Sequence, residues 1–248
     1  MEFIRQLLSF RSGKAEGFEA DLSPDSSFVA VGDIHGRYDL LHALHKQLCE
    51  KAPNKPIVFL GDYVDRGPQS AEVLRYLNKM SAESVVEVVC LKGNHEAMML
   101  DFLDDPESTG ARWLVNGGRQ TLESFGIEQT KAPFSELRDQ LIKNAGEELL
   151  EWLRQRPLLW QSGNVVASHA GGDPTRKLNP RRGHGLLWGH AKTRNTPRKD
   201  GLWMVHGHYI VEAPSTRQGR IEIDTGAWRT GRLTAAIIAP NQVHFLST

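Results

Sequence analysis

The chain is 248 residues long at 27.8 kDa, 40% hydrophobic and 24% charged, so it can bury a sizeable core without staples. This composition excludes general disorder and collagen-like repeats. Thirty basic residues balance thirty acidic ones, with a pI near 7.2, which is not the electrostatics of a dedicated nucleic-acid binder, and no nucleic-acid partner is expected. Cys49 and Cys90, the two cysteines, can build neither a disulfide framework nor a thiolate metal site, so the reducing cytoplasm is the expected compartment. No apolar run approaches the roughly 18 residues of a membrane span.

In chain order, residues 1–27 read as an N-terminal extension and 28–248 as a single domain. Phe3, Ile4, Leu7 and Leu8 fall at helical spacing, but Arg5 and Gln6 break the apolar centre that a signal peptide needs. The expectation is a frayed helix packed on the domain, with a basic foot on a membrane surface as the alternative. Phe28–Val31 reads as a buried strand, and Leu40, Leu41, Leu44 and Leu48 mark one face of a helix. Ile57–Leu60 is the next strand, followed by a helix carrying Val73, Leu74, Leu77 and Met80, then a third strand over Val85–Leu91. This βαβαβ order predicts right-handed crossovers and parallel pairing. From about 101 to 156 the pattern is helical. The second half is strand-rich again, at 165–167, 204–205, 221–223, 233–238 and 243–245, and its close spacing suits a more antiparallel sheet. The predicted fold class is α/β, with two facing mixed β-sheets flanked by helices.

The strand ends carry the chemistry. The first strand runs into Gly32-Asp33-Ile34-His35-Gly36, the second into Gly61-Asp62-Tyr63-Val64-Asp65-Arg66-Gly67 and the third into Gly93-Asn94-His95-Glu96. Later strands run into His169-Ala170-Gly171-Gly172 and His206-Gly207-His208. Ligands bind at the carboxyl ends of strands in open α/β sheets, so these turns read as one constellation. Aspartate, asparagine and imidazole without thiolate suit borderline-to-hard divalent ions. Two such ions bring about +4, Asp33 and Asp62 subtract about 2 and a bridging hydroxide about 1, leaving a positive site that favours a phosphate ester. His206 and His208 share one face by strand alternation, so spacing does not choose between them.

In this order, these motifs resemble the signature of the calcineurin-like metallophosphoesterases, and Asp65-Arg66-Gly67 with Glu96 resembles the phosphoprotein phosphatase branch. Residues 92–100, 113–118 and 223–227 resemble the bacterial and bacteriophage lambda serine/threonine protein phosphatases. The resemblance implies a four-layer sandwich with a dimetal site at the strand carboxyl ends. It places Asp33 and His35 on the first metal, Asp62 between the two, and Asn94, His169 and His208 on the second. Manganese is the first expectation, with Fe, Zn, Co or Ni as alternatives. It also implies that His95 protonates the leaving alkoxide, that Asp65 orients its ring, and that Arg66 clamps the phosphate. Where lambda-type enzymes have Trp-x-Arg, this chain has Trp188-Gly189-His190, so His190 is a candidate for part of a second clamp. From Pro174 to Lys199 there are eight basic residues and no acidic one, a loop suited either to attracting phosphorylated substrate or to plain solvation.

The leading expectation is metal-dependent hydrolysis of phosphomonoesters by a metal-bridging hydroxide, on phosphoserine or phosphothreonine of proteins or on a small phosphoester. A dinucleoside polyphosphate hydrolase is the alternative, and a non-catalytic phosphoprotein-binding module the third reading. Asp224 reads as a turn cap, Trp113 and Asn116–Gly118 as packing or the border of a substrate cleft, and Cys49 and Cys90 as small core residues.

Overall fold

The computed structural model describes residues 10–11, 17–128 and 132–248. The helix expected over Phe3–Leu8 lies outside these. The strands are β1 (Phe10–Arg11), β2 (Phe28–Val31), β3 (Ile57–Phe59), β4 (Val88–Cys90), β5 (Leu159–Ser162), β6 (Val165–Ser168), β7 (Trp203–His206), β8 (Ser215–Arg217), β9 (Arg220–Glu222), β10 (Thr234–Ala239) and β11 (Gln242–Ser247). One sheet has the order β1-β11-β10-β2-β3-β4 and the other β5-β6-β7-β9-β8.

Alternation along each strand decides which side chains meet. Phe28, Ala30, Val58 and Leu60 face Val165, Ala167, Val205, Ile221 and Ile223 in a core between the sheets. Val29, Val31, Ile57 and Phe59 point the other way, into a second core under the helices. Burying each such side chain contributes about 1.5–3 kcal/mol. Phe18 and Leu22 enter the inter-sheet core, and the Trp203 indole donates to Ala20 O at 3.0 Å, so residues 17–27 line the second sheet.

The βαβαβ half follows the expected parallel pairing, β2 with β3 and β3 with β4. The second half corrects the antiparallel expectation. β6, β7 and β9 are mutually parallel, because the long segments between them act as crossovers, and only β5 and β8 pair antiparallel at the edges. β10 leaves that half and pairs antiparallel with β2 in the first sheet. The third strand is also shorter than expected, with Val85 99% exposed in the connection that precedes it.

The helices are α1 (Tyr38–Lys51), α2 (Ser70–Glu83), α3 (Asn94–Asp104), α4 (Pro106–Trp113), α5 (Arg119–Ser124), α6 (Phe134–Ala145), α7 (Glu147–Arg154), α8 (Gly183–Trp188) and α9 (Ala227–Thr230). The region expected to be helical from 101 is so, but α3 begins earlier, at Asn94 inside the third motif. Cys90 is buried as expected, whereas Cys49 is exposed. The core face of α1 is carried by Leu41, Leu44 and Leu48, and the next residue is rotated about 100° off that face. The outer face of the second sheet is covered by the segment 171–200: Thr193 Oγ1 donates to Gly172 O at 2.9 Å, and Ala170 N donates to Leu186 O at 2.8 Å.

Candidate active site

The second motif is built around a carboxylate from the third. Glu96, fully buried, accepts N–H groups from Asp62 (2.8 Å), Tyr63 (2.7 Å) and Gly93 (2.9 Å). The last bond is the return half of a capping arrangement at the start of α3. The α3 N-terminus also serves Asp62, whose Oδ1 accepts from His95 N at 3.0 Å. The loop between β3 and α2 is thus tied to the start of α3.

Asp62 stands at the centre. Its Oδ2 lies 3.4 Å from His35 Nε2, and its Oδ1 lies 3.4 Å from His169 Nε2. On the His169 side, Asn94 Oδ1 is 2.8 Å from His169 Nε2 and 2.9 Å from His208 Nδ1. The other ring nitrogens are anchored by backbone carbonyls: His35 Nδ1 on Val64 O at 2.9 Å and His169 Nδ1 on Leu60 O at 3.0 Å. Such bonds fix the tautomer and leave Nε2 free as a donor atom. Asp33 Oδ2 accepts from His208 N at 3.0 Å, while its Oδ1 is buried without a hydrogen-bond partner.

The turns are unusual in conformation. His35, Asp62, Asp65, Arg66 and His208 all have positive φ, at 47°, 53°, 72°, 70° and 63°. β7 ends at His206, and the turn at Gly207 breaks the alternation that had left the two histidines equivalent. His208 joins the centre, whereas His206 lies on the outer face of the second sheet with its Nδ1 3.0 Å from Gly207 O. Gly207 is required by close approach, since a Cβ there would stand 1.9 Å from Asp33 Oδ1.

His95 is held by a separate network. Its Nδ1 is 2.7 Å from Asp65 Oδ2, and that carboxylate also accepts from Thr121 Oγ1 at 2.7 Å and from the Trp113 indole at 3.1 Å. His95 Nε2 faces Arg66, 3.1 Å from its guanidinium, which also lies 3.3 Å from His35 Nε2 and stacks over Trp228 at 5.2 Å. Arg66 N donates to Gly117 O at 3.3 Å, at a kink within 114–118 where Gly117 has a φ of 111° and a Cβ on it would come within 2.6 Å of Arg66 N. His190 lies apart from these groups. Its Nε2 is 3.8 Å from Asp173, and its Nδ1 accepts from Lys192 N at 3.2 Å.

The electrostatics divide the imidazoles. Burial lowers His35 to about 3 and His208 to about 4, and lowers His169 as well. These rings are neutral and present lone pairs. Burial also opposes charge on His95, but the Asp62 and Asp65 carboxylates outweigh it and raise this one ring above its ordinary value. Burial works against the Asp62 carboxylate too, yet His169, His95 and His35 hold it below the ordinary carboxylate range. Asp33 is pushed up by burial and by the charges of Asp224 and Asp62. Asp224 also caps a turn, accepting from Gly226 N at 2.8 Å.

Comparison with known proteins decides the family. The calcineurin-like phosphoesterase profile matches residues 26–212. The chain belongs to that family. It is 28% identical to bis(5'-nucleosyl)-tetraphosphatase PrpE [asymmetrical] of Bacillus subtilis (strain 168), over 84% of this chain and 89% of that one. It is 30% identical to serine/threonine-protein phosphatase 2 of Escherichia coli (strain K12), over 82% and 89% of the two chains. The fold matches that of a protein serine/threonine phosphatase from Saccharomyces cerevisiae with a TM-score of 0.58 at 16% identity, covering 90% of this chain and 80% of that one.

Calcineurin-like phosphoesterases hydrolyse phosphoesters with divalent metals, and the donor set of this member fits such ions. His35, Asp62 and His95 bring ligand atoms within 4.8 Å of one another, and so do Asp62, His169 and His208. The orphaned Asp33 Oδ1 is a buried acceptor that lacks a donor or a cation. Neutral imidazoles, carboxylates and an amide oxygen are the ligands such ions take.

Sequence reasoning did not find the contacts that three positions make in this phosphoesterase, although Trp113 was read as packing or the border of a substrate cleft. Glu96 served only to narrow the family, yet it organises the whole second motif. Trp113 is fully buried against the Asp65 carboxylate, and Thr121 joins it there. The spacing of Glu96 three residues after Gly93 was a readable capping signal. Nothing local in the sequence marks Trp113 or Thr121.

Proposed function

We propose that this phosphoesterase removes terminal phosphoryl groups at a dinuclear centre, acting as a phosphoserine/phosphothreonine protein phosphatase. In this reading Asp33 and His35 hold one ion, Asn94, His169 and His208 hold the other, and Asp62 is shared between them. The observation that carries it is the placement of Asp62, whose two oxygens each lie 3.4 Å from a different histidine. When bound, the ions supply an activated water near neutral pH and neutralise phosphoryl charge.

The side chains do the rest. Arg66 offers a planar fork to two phosphoryl oxygens. It lies 3.1 Å from His95 Nε2, so clamp and proton donor meet the same group. A serine or threonine alkoxide is a strong base and leaves poorly unless protonated. His95, raised by its carboxylate neighbours and aimed by Asp65, Thr121 and Trp113, suits that task. This donor favours an alkyl monoester over an anhydride, whose phosphate leaving group needs a proton less.

Dinucleoside polyphosphate hydrolysis is the second reading, favoured by an arginine-lined cavity beside His208. The test is elemental analysis of the purified protein together with turnover of a phosphopeptide and of diadenosine tetraphosphate with added Mn²⁺. About two ions per chain and phosphopeptide turnover are expected. Exclusive turnover of the dinucleotide would replace the first reading by the second, and full metal loading without hydrolysis would leave a binding module.

A further inference from the structure

Two of the three large apolar side chains exposed among the described residues stand together beside the active site. Val115 is 81% exposed and Trp228 36%, and with Arg66, Leu114, Arg119 and Gln120 they line a cavity of about 620 Å³. Apolar groups left in water at one place mark a surface that a ligand covers. The arginine-lined cavity beside His208, walled by Arg194, Tyr209 and Arg217, contains none of the centre's residues. This one contains Arg66.

Both walls are fixed. The kink within 114–118 is tied to Arg66 N through Gly117 O, and Trp113 and Thr121 on either side of it donate to Asp65. The opposite wall, α9, is pinned by Arg37 Nη1, which donates to Ala227 O at 3.2 Å, and by Thr230 Oγ1, which donates to Thr225 O at 2.9 Å. Arg66 joins cavity and centre: its Cζ lies 5.2 Å over the Trp228 ring, while a terminal nitrogen lies 3.1 Å from His95 Nε2. An extended chain, at about 3.5 Å per residue, covers that path in two or three residues. The lining carries two guanidiniums and no carboxylate, which suits a phosphorylated peptide, and its exposed ring and valine suit an apolar side chain.

We propose that this cavity is a specificity pocket for peptide substrates, taking an aromatic or large aliphatic side chain within three residues of the phosphorylated serine or threonine. The proposal rests on the reading of the centre as a phosphoserine/phosphothreonine phosphatase and adds the sequence that such a substrate carries. Arg66 holds the phosphoryl group by its edge, and Trp228 and Val115 cover the neighbouring side chain. A phosphopeptide with only small flanking residues reaches Arg66 and leaves the apolar wall in water.

The experiment assays the Mn²⁺-loaded protein on phosphoserine and phosphothreonine peptides with alanine at three positions on either side. Each alanine is replaced in turn by phenylalanine, leucine or glutamate. At one position or more, phenylalanine should raise kcat/KM about tenfold over alanine, through KM, the worth of taking part of a ring out of water, with leucine between the two. In Trp228→Ala the phenylalanine-to-alanine ratio should fall to about twofold or less, and in Val115→Ser to about fivefold or less. The ratio cancels what the loss of Trp228 does to every peptide through Arg66, and both side chains are exposed, so neither change removes core packing. A ratio near one at every position overturns the proposal, as does a ratio that survives both variants or a gain with glutamate in place of phenylalanine. A loss in Val115→Ser seen with diadenosine tetraphosphate and not with peptides gives the cavity to a nucleobase and also overturns it. Failure of the underlying reading is a different result: no metal-dependent turnover of any phosphopeptide by the unaltered protein.

Discussion

The floor and the rim of the active site are built differently. On the floor, Asp33, His35, Asp62, Asn94 and His169 are buried, and each is tied to backbone groups or to another ligand. On the rim, half-buried Arg66 rests against His35, His95 and the exposed Trp228 ring, and Arg194 and Arg217 are docked on Glu222 and reach solvent. The floor spends burial and hydrogen bonds on a single geometry and therefore fixes the reaction. The rim is more open to solvent, the side from which a substrate would meet it. Relatives named for nucleotide and for protein substrates agree with that division, since a shared floor can serve different rims.

Perturbing the floor should have the largest effects. Asp62→Asn removes the charge of the residue proposed to be shared by two ions, and elemental analysis should find the ions lost and activity at background. His95→Ala should keep the metals and lose about 10²–10⁴ in kcat, read by steady-state kinetics on a phosphopeptide. If His95→Ala also empties the centre, this histidine belongs among the ligands and the floor is larger than drawn here.

Changes at the rim should be gentler. Trp228→Ala removes the ring under Arg66 and should raise KM about two- to fivefold with kcat little altered, the worth of an exposed cation–π contact. A comparable fall in kcat would make Trp228 part of the catalytic machinery. Asp200 gives the smallest effect. Burial raises its carboxyl, but the Arg198 hydrogen bond and charge win and hold it below the ordinary value of 3.8. Its contribution is therefore complete above that value and fades as pH falls through the depressed one. Asp200→Asn should cost at most about 1 kcal/mol near pH 7 in denaturant titrations, and the difference should vanish under strong acid.

The candidate site was largely legible because each motif is a strand end, and strand ends are local features of sequence. Asp62, Asn94, His169 and His208 lie together in the structure, and a glycine turn separates His206 from His208, which periodicity had left equivalent. What escaped was non-local. The parallel pairing of β6, β7 and β9 depends on crossovers over 169–202 and 207–219, and the return of β10 to the first sheet depends on a partner some two hundred positions away. Trp113 and Thr121, on either side of the kink at Gly117, both reach Asp65 from about fifty positions away. The basic loop at 174–199 read equally as an attractor of phosphorylated substrate or as a solvated run, and Thr193 and Arg198 are buried in it. Its charges are divided between structural pairs and free guanidinium edges, a division that only the fold can make.

The left-handed backbone at five positions of the centre bears on how readily this enzyme could be redesigned. A newcomer at any of them must satisfy the chemistry and also tolerate a torsion that costs most residues about 1–3 kcal/mol. Asparagine and glycine pass the second condition, while valine, isoleucine and threonine fail it. Libraries at these sites should return few viable members whatever activity is selected, and a new reactivity would be sought more profitably in the surrounding loops.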